Sequence, residues 1–141
     1  MSFENLMKSF ARQNNLEEID FRDNKYHLIL DGITRVTCFQ ANGDCYFHGI
    51  LAPLPEDSSA REDLLVRLLK TNLALMQSQR MSLCIEPDGR NLGLYLTRPL
   101  RGLDETMLTS ALVEYVNGFE VFKKEVDRDD FQMFSGMMML P

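Results

Sequence analysis

The sequence predicts an α+β fold with the element order α-β-β-β-α-β-β-α. Three observations support it: apolar residues at helical spacing near both ends, a third such stretch in the middle, and alternating segments between them that are separated by turn residues. We expect a twisted, mainly antiparallel sheet of about five strands packed by the helices. With 141 residues, 45% of them hydrophobic, the chain is long enough to bury one core. We therefore predict a single domain over residues 1–126, followed by a charged and then Met-rich tail over residues 127–141.

The first helix is predicted over residues 2–14, where apolar residues recur at helical spacing. Ser2 is a suitable N-cap, because its hydroxyl oxygen can accept a backbone hydrogen bond. The adjacent asparagines Asn14 and Asn15 end the pattern. The apolar face of this helix consists of Phe3, Leu6, Met7 and Phe10.

Three strands are predicted next, in the segments KYHLIL, ITRVTCFQ and CYFHGIL. In the first of them, Tyr26, Leu28 and Leu30 lie on one side. Asp31-Gly32 and Asn42-Gly43 separate the segments, and both dipeptides favour two-residue hairpin turns. The three strands therefore form an antiparallel meander.

The second helix is predicted from the capping-box sequence at Ser59 to about Arg80. Its apolar residues cover an arc of about 200°, whereas a surface helix usually shows about 100°. One part can pack on the sheet, and the rest requires a second cover, for which we expect another copy of the chain related by a two-fold axis. The predicted dimer interface consists of Leu65, Leu69, Asn72, Leu73 and Met76.

Asn72 lies within this apolar stripe and allows two interpretations. A buried amide at an interface can fix the register of two helices. Alternatively, Asn72 caps a nearby backbone group or lies at a solvent-exposed edge, since interior amides with local partners are common.

A second hairpin and a third helix complete the fold. The segments SLCIE and NLGLYLTR flank the turn Pro87-Asp88-Gly89. Asp104 is the expected N-cap of the last helix. The apolar stripe of that helix consists of Leu108, Ala111, Leu112, Tyr115, Val116, Phe119 and Phe122.

Composition excludes several functions. The net charge of −6 disfavours nucleic acid and anionic membranes as partners. No run reaches the roughly 18 to 20 apolar residues of a membrane span, and the N-terminal segment has Glu4 where a signal peptide would be apolar. The three cysteines, odd in number and without metal-ligand spacing, indicate reduced thiols. We therefore expect an acidic cytoplasmic protein.

No catalytic, cofactor or metal-binding motif is present in the sequence. His27 and His48 belong to no metal-binding pattern, and cysteines within strands are usually small buried hydrophobic residues. An alternative interpretation remains, namely a small α+β ligand-binding domain or enzyme with an apolar pocket and His48 or Cys45 near its mouth.

Three segments carry a family resemblance: LLKTNL at residues 68–73, SLCIEPDGRNLGLYL at 82–96, and RPLRGLDETMLTSALVEYVNGFE at 98–120. In order and spacing they resemble the class I type III secretion chaperones of the Tir chaperone family, which are small acidic bacterial proteins. The resemblance implies a homodimer in the bacterial cytoplasm that binds the extended, non-globular N-terminal region of a secreted effector and keeps it stable and secretion-competent. It implies neither catalysis nor a cofactor. A regulatory protein is a further partner that the resemblance allows.

An extended effector segment can add a strand to a sheet edge and insert alternate side chains into pockets. Such binding requires several apolar patches, because ordering the segment costs about 1–2 kcal/mol per residue. The alternating strand faces and the first helix are our candidates, with core packing as the alternative for each residue. The predicted effector-binding residues are Phe3, Leu6, Phe10, Leu28, Leu30, Leu92, Leu94 and Leu96. The Met-rich tail either covers such a patch when no client is bound or docks on a partner. The alternative is a frayed terminus, or one that packs on its own domain.

Overall fold

The computed structural model describes residues 2–16, 19–30, 34–76 and 80–138, with side chains described up to residue 128. Within these residues the predicted order of elements is confirmed, with one additional strand. The elements are α1 (Phe3–Gln13), β1 (Asp20–Arg22), β2 (Lys25–Leu30), β3 (Thr34–Ala41), β4 (Asp44–Pro53), α2 (Ser58–Leu75), β5 (Met81–Ile85), β6 (Asn91–Pro99) and α3 (Glu105–Met138).

The six strands form one sheet in the order β1-β2-β3-β4-β6-β5, and every neighbouring pair is antiparallel. The β3–β4 turn is the predicted one, with Asn42 and Gly43 at φ 53° and 82°. The predicted turn at Asp31-Gly32 lies outside the described residues. The prediction of about five strands missed β1, which has only three residues and pairs with β2 through Phe21 and Tyr26.

Helix α1 begins as predicted. The Ser2 Oγ accepts a hydrogen bond from the Asn5 N–H at 3.2 Å. Its predicted apolar face is confirmed, since Leu6, Met7 and Phe10 are buried.

Helix α2 begins earlier than predicted. The Asp57 Oδ2 accepts a hydrogen bond from the Ala60 N–H at 2.9 Å, so Asp57 is the N-cap and Ser59 lies within the first turn. The helix ends at Leu75, five residues before the predicted end near Arg80.

Helix α3 has the predicted cap, because the Asp104 Oδ1 accepts a hydrogen bond from the Met107 N–H at 2.8 Å. The helix continues to Met138, through most of the segment predicted as a tail. The division of the chain at residue 126 and the role of the Met-rich residues stay predictions.

One face of the sheet carries the core. Buried strand residues such as Leu28, Phe47 and Leu94 join the apolar faces of the helices in a single cluster. Tyr115 of α3 packs closely against β4 and β6, and its hydroxyl donates to the Leu94 carbonyl at 3.0 Å. Gly49 makes this approach possible, because a Cβ there would lie 2.7 Å from the Tyr115 hydroxyl oxygen.

Residues of opposite parity point away from this core. They form the outer face of the sheet, which we define by Ile29, Arg35, Thr37, Phe39, Tyr46, His48, Ile50 and Tyr95. Its side chains are exposed or half-buried.

Candidate functional site

Helix α2 leaves much of its apolar surface uncovered in the single chain. Only Leu64 and Leu68 are buried in the core. We define the α2 stripe as the exposed apolar residues Val66, Leu69, Leu73 and Met76, with exposed fractions of 46%, 59%, 71% and 55%. Contiguous exposed apolar patches of this kind are characteristic of interaction surfaces.

The predicted dimer residues map onto this surface. Leu69, Leu73 and Met76 are exposed, whereas Leu65 and Asn72 are half-buried beside them. The single chain contains no second copy, so dimerisation itself stays a prediction.

A groove lies between α1 and the first hairpin of the sheet. It has a volume of about 710 Å³, and we call it the α1 groove. Its apolar lining residues are Phe3, Met7, Ala11, Ile19, Phe21 and Tyr26, with Glu4, Lys8, Asn24 and Gln40 as polar lining residues. The ring of Tyr26 contacts both Phe3 and Phe21, at centroid distances of 5.7 and 4.7 Å. An aromatic floor with a polar rim suits apolar side chains of a peptide.

Strand β1 forms one wall of this groove and one edge of the sheet. Among the described strands it pairs with β2 alone, so its other backbone edge is open. An open edge can accept an extended peptide as an added strand. Phe21, 56% exposed, stands on this strand.

The structure corrects the expected exposure of six predicted effector-binding residues. Leu6, Phe10, Leu28, Leu92, Leu94 and Leu96 are at most 5% exposed, because the three helices pack against one face of the sheet. They pack the core and offer no surface in this structure. The remaining two, Phe3 and Leu30, are half-buried, and Phe3 lines the α1 groove.

The sequence interpretation missed the exposed apolar residues of the sheet. Phe21, Ile29 and Ile50 are 56%, 58% and 48% exposed. Phe21 stands among Asp20, Arg22 and Asp23, so no alternation marked it as a strand residue. Ile29 and Ile50 are offset by one position from the buried residues of their strands, and period-two alternation assigns them to the opposite face.

The candidate residues of the enzyme alternative do not converge. Cys45 lies in the core with its Sγ 3.7 Å from that of Cys38, whereas His48 lies on the outer face. The His48 Nε2 is 2.6 Å from the Glu86 Oε1, and its ring stacks on Tyr95 at 4.2 Å. The hydrogen bond with Cys45 and burial both raise the pKa of the Cys38 thiol, which disfavours a thiolate nucleophile.

Among the residues described, no group of three or more histidine, cysteine, aspartate or glutamate side chains is arranged to hold a metal ion. Within the same part of the chain, none of the helices combines the length and the apolar character that crossing a bilayer requires.

Solved structures with this fold include bacterial secretion chaperones. The HopA1–SchA chaperone–effector complex contains a chain that is 16% identical, with a TM-score of 0.66 and coverage of 86% of this chain and 93% of that one. The Yersinia pestis type III secretion chaperone SycH, in complex with a stable fragment of YscM2, gives 20% identity, a TM-score of 0.63 and coverage of 86% and 99%.

The same fold occurs in a protein described differently. YbjN from E. coli, a putative transcription regulator, is 12% identical with a TM-score of 0.70, and the match covers 92% of this chain and 94% of that one. At such identities these similarities establish the fold alone. No curated protein sequence gives a significant match.

The family comparison covers most of the chain. Residues 5–123 match the Tir chaperone protein (CesT) family, a range that includes almost all of α1, the entire sheet, α2 and most of the part of α3 that packs on the core. The chain therefore belongs to the Tir chaperone protein (CesT) family.

Proposed function

We propose that this chain is a type III secretion chaperone that acts as a homodimer. In this proposal it binds the extended, non-globular N-terminal region of a secreted effector and keeps that region stable and competent for export. It acts in the bacterial cytoplasm, without catalysis and without a cofactor. Family membership supports the chaperone assignment, and the SchA and SycH structures, which contain an effector and a YscM2 fragment, support a protein partner.

The main structural support for this proposal is the α1 groove. It combines an apolar lining, the exposed ring of Phe21 and the open backbone edge of β1 in one place. A folded partner would offer few extended backbones to such an edge, whereas an unfolded segment offers one along its whole length.

The energetics favour a segment that contacts more than this groove. Ordering ten residues costs about 10–20 kcal/mol, which requires about 400–800 Å² of buried apolar surface at roughly 25 cal/mol per Å². The groove supplies a first anchor, and the other exposed apolar residues of the sheet supply further contacts. The segment would therefore wrap around the chaperone.

The homodimer is proposed to form through the α2 stripe. A two-fold axis makes one apolar patch complementary to itself, so a single set of residues covers both copies. A stable interface buries about 800 Å² on each partner. Leu65 and Asn72 would border the contact, and Asn72 would then fix the register of the two helices.

The test is capture of the client by the tagged full chain in its native cells, followed by limited proteolysis. We expect a protected stretch near the N-terminus of the captured protein. Phe21→Glu places a charge in the α1 groove and should abolish capture. Met107→Glu, at a residue 48% exposed on α3, should leave it intact.

Capture that survives Phe21→Glu unchanged would contradict the role of the groove. Protection of a folded domain far from the client's N-terminus would contradict the proposed mode of binding. A chain that carries only a small molecule while secretion is active would favour the ligand-binding alternative.

A further inference from the structure

Strands β3 and β4 part near the middle of the sheet. Their pairing runs from Ala41 opposite Asp44 to Thr37 opposite His48 and goes no further. Beyond this point Arg35 pairs with Ile29 of β2, whereas Ile50 pairs with Gly93 of β6. The register of β4 on β6 also shifts between Ile50 and Ala52, which bends the strand as a bulge does.

A cavity of about 560 Å³ lies at this parting, and we call it the β3–β4 notch. Its lining includes Arg35, Lys123, His27 and His48, and no carboxylate is among the described residues that line it. Among these residues Arg35 and Lys123 carry permanent positive charge, and a cavity with two such cations attracts an anion.

The contacts inside the notch leave two cations available to a partner. Lys123 Nζ donates to the carbonyl of Leu51 at 3.2 Å, which satisfies a backbone group and leaves two further N–H donors. Arg35 is exposed, and it belongs to none of the ion pairs between described residues. His48 instead engages Glu86.

The notch carries positive charge, whereas the chain as a whole carries a net charge of −6. Two exposed isoleucines flank Arg35 on the same outer face, Ile29 at 58% and Ile50 at 48% exposure. The surface therefore presents apolar, cationic and apolar groups in succession. Ile29 and Arg35 are directly paired, so their Cα atoms lie about 4.5–5.5 Å apart. Same-face side chains of an extended peptide are about 7 Å apart, and long side chains can span this difference to reach each group in turn.

We propose that the β3–β4 notch binds a carboxylate side chain from an extended acidic segment of the partner protein. The carboxylate contacts Arg35 and Lys123, and apolar residues two positions before and after it pack on Ile29 and Ile50. This inference rests on the proposed function, because the segment belongs to the client. It defines the sequence pattern of that segment as apolar, any residue, acidic, any residue, apolar.

The test uses the ¹⁵N-labelled full chain and an end-blocked peptide with isoleucine, glutamate and isoleucine at alternate central positions. We expect the peptide to shift the amide resonances of Arg35, Ile50 and their neighbours. The same peptide with glutamine in place of glutamate should bind ~tenfold more weakly, the range expected for loss of a charge-assisted contact.

Two protein variants separate a specific site from general charge. Arg35→Glu should remove peptide binding. Arg101→Glu makes the same charge change at an exposed residue beyond the end of β6, where Pro99 pairs with Asp44, about 20 Å along β4 from the notch. It should leave the affinity within twofold. Lys123→Gln should lower the affinity for the peptide, because it removes one of the two cations. Thermal unfolding checks that this variant is folded.

Several results would overturn the notch proposal. The first is that millimolar peptide shifts no amide resonances of the notch, and the second is that the Arg35 and Arg101 variants lose peptide affinity equally. The third is that a peptide with lysine in place of glutamate binds equally well. The fourth is that the resonances shift with protein concentration alone. The last result would assign the surface to a second copy. Phe21→Glu leaves the notch intact, so the two proposals can fail separately. If the peptide does not bind but the chain captures its client normally, the notch proposal alone is overturned. If capture does not depend on the α1 groove but the peptide binds normally, the groove proposal alone is overturned.

Discussion

Helices α1 and α2 both show apolar residues at helical spacing, yet the fold uses them differently. Leu6, Met7 and Phe10 of α1 are at most 5% exposed. On α2, Leu64 and Leu68 are buried, whereas the four residues of the α2 stripe are at least 46% exposed. The apolar face of α1 is therefore buried in the single chain, whereas the wider apolar face of α2 is buried on one side and exposed on the other.

The reason is the position of each helix on the sheet. α1 lies over central strands, where Phe10 contacts Phe47 at a centroid distance of 6.5 Å and Met7 Sδ lies 3.8 Å from Cys38 Sγ. α2 packs on α3 and on the edge strand β5, so only one side of it reaches the core. Apolar periodicity shows which face must be covered, and the position in the fold decides whether the same chain can cover it.

The largest effect is expected from a change in the buried apolar face of α1. Phe10→Ala should lower the free energy of unfolding by about 3–5 kcal/mol, because it removes a fully buried ring and leaves a cavity. Urea unfolding measures the change. Val121→Ala, at a residue 37% exposed on α3, is the control and should change stability by less than about 0.5 kcal/mol. A Phe10 variant as stable as this control would contradict the packing of α1.

The next largest effect is expected from changes in the exposed α2 stripe. Leu69→Asp combined with Met76→Asp should weaken dimerisation by about 2–4 kcal/mol, because carboxylates would enter an apolar interface. Sedimentation velocity at low micromolar concentration should then show monomer or aggregate. The matched control is Val113→Asp with Met107→Asp on α3, at residues 54% and 48% exposed, and it should remain dimeric. A dimer that survives the α2 changes would show that α2 is not the interface.

Helices α1 and α2 differ in the exposure of their apolar faces, but their N-termini are alike, since each has an N-cap side chain that accepts a backbone N–H. Ser2→Ala and Asp57→Ala should each lower the free energy of unfolding by about 0.5–2 kcal/mol. We expect losses of similar size, because each cap accepts one backbone N–H, at 2.9 Å for Asp57 and 3.2 Å for Ser2. Thermal unfolding at equal protein concentration measures both. A loss at one cap only would mean that the two helices also differ at their ends.

The smallest effect is expected at the β5–β6 turn, which lies on neither helix. Backbone N–H groups of Arg90 and Asn91 and the Asn91 side chain donate to the Asp88 carboxylate and lower its pKa. Because the folded pKa lies below the unfolded value near ~3.9, this stabilisation is present above that pH and is lost as the pH falls through the folded pKa. Asp88→Asn should lower the Tm slightly at pH ~7, and the difference should shrink by pH ~2–3. A difference that persists in acid would refute this origin.

Local signals predicted most of the fold. The caps at Ser2 and Asp104, and the turns at Asn42-Gly43 and Asp88-Gly89, depend on neighbouring residues, and the structure confirms them. Strand β1 was missed because three residues carry no periodicity, and only its pairing with β2 makes it a strand.

The candidate site was less predictable, since exposure depends on the arrangement of distant elements. The leucines of β6 have the alternation of a half-exposed strand, yet three helices bury them completely. Phe21 has polar neighbours in sequence, and only the fold places it beside Phe3 and Tyr26 in the α1 groove. The overly wide face of α2 was visible in the sequence because it exceeds what one contact can cover.

The intact mass of the complex that the tagged chain forms in its native cells during active secretion tests the homodimer and its client together. We expect two copies of this chain with one larger protein, whose protected stretch lies near its N-terminus. A single copy bound to a client would contradict the α2 dimer. A dimer that carries no protein, or only a small molecule, would contradict the chaperone function.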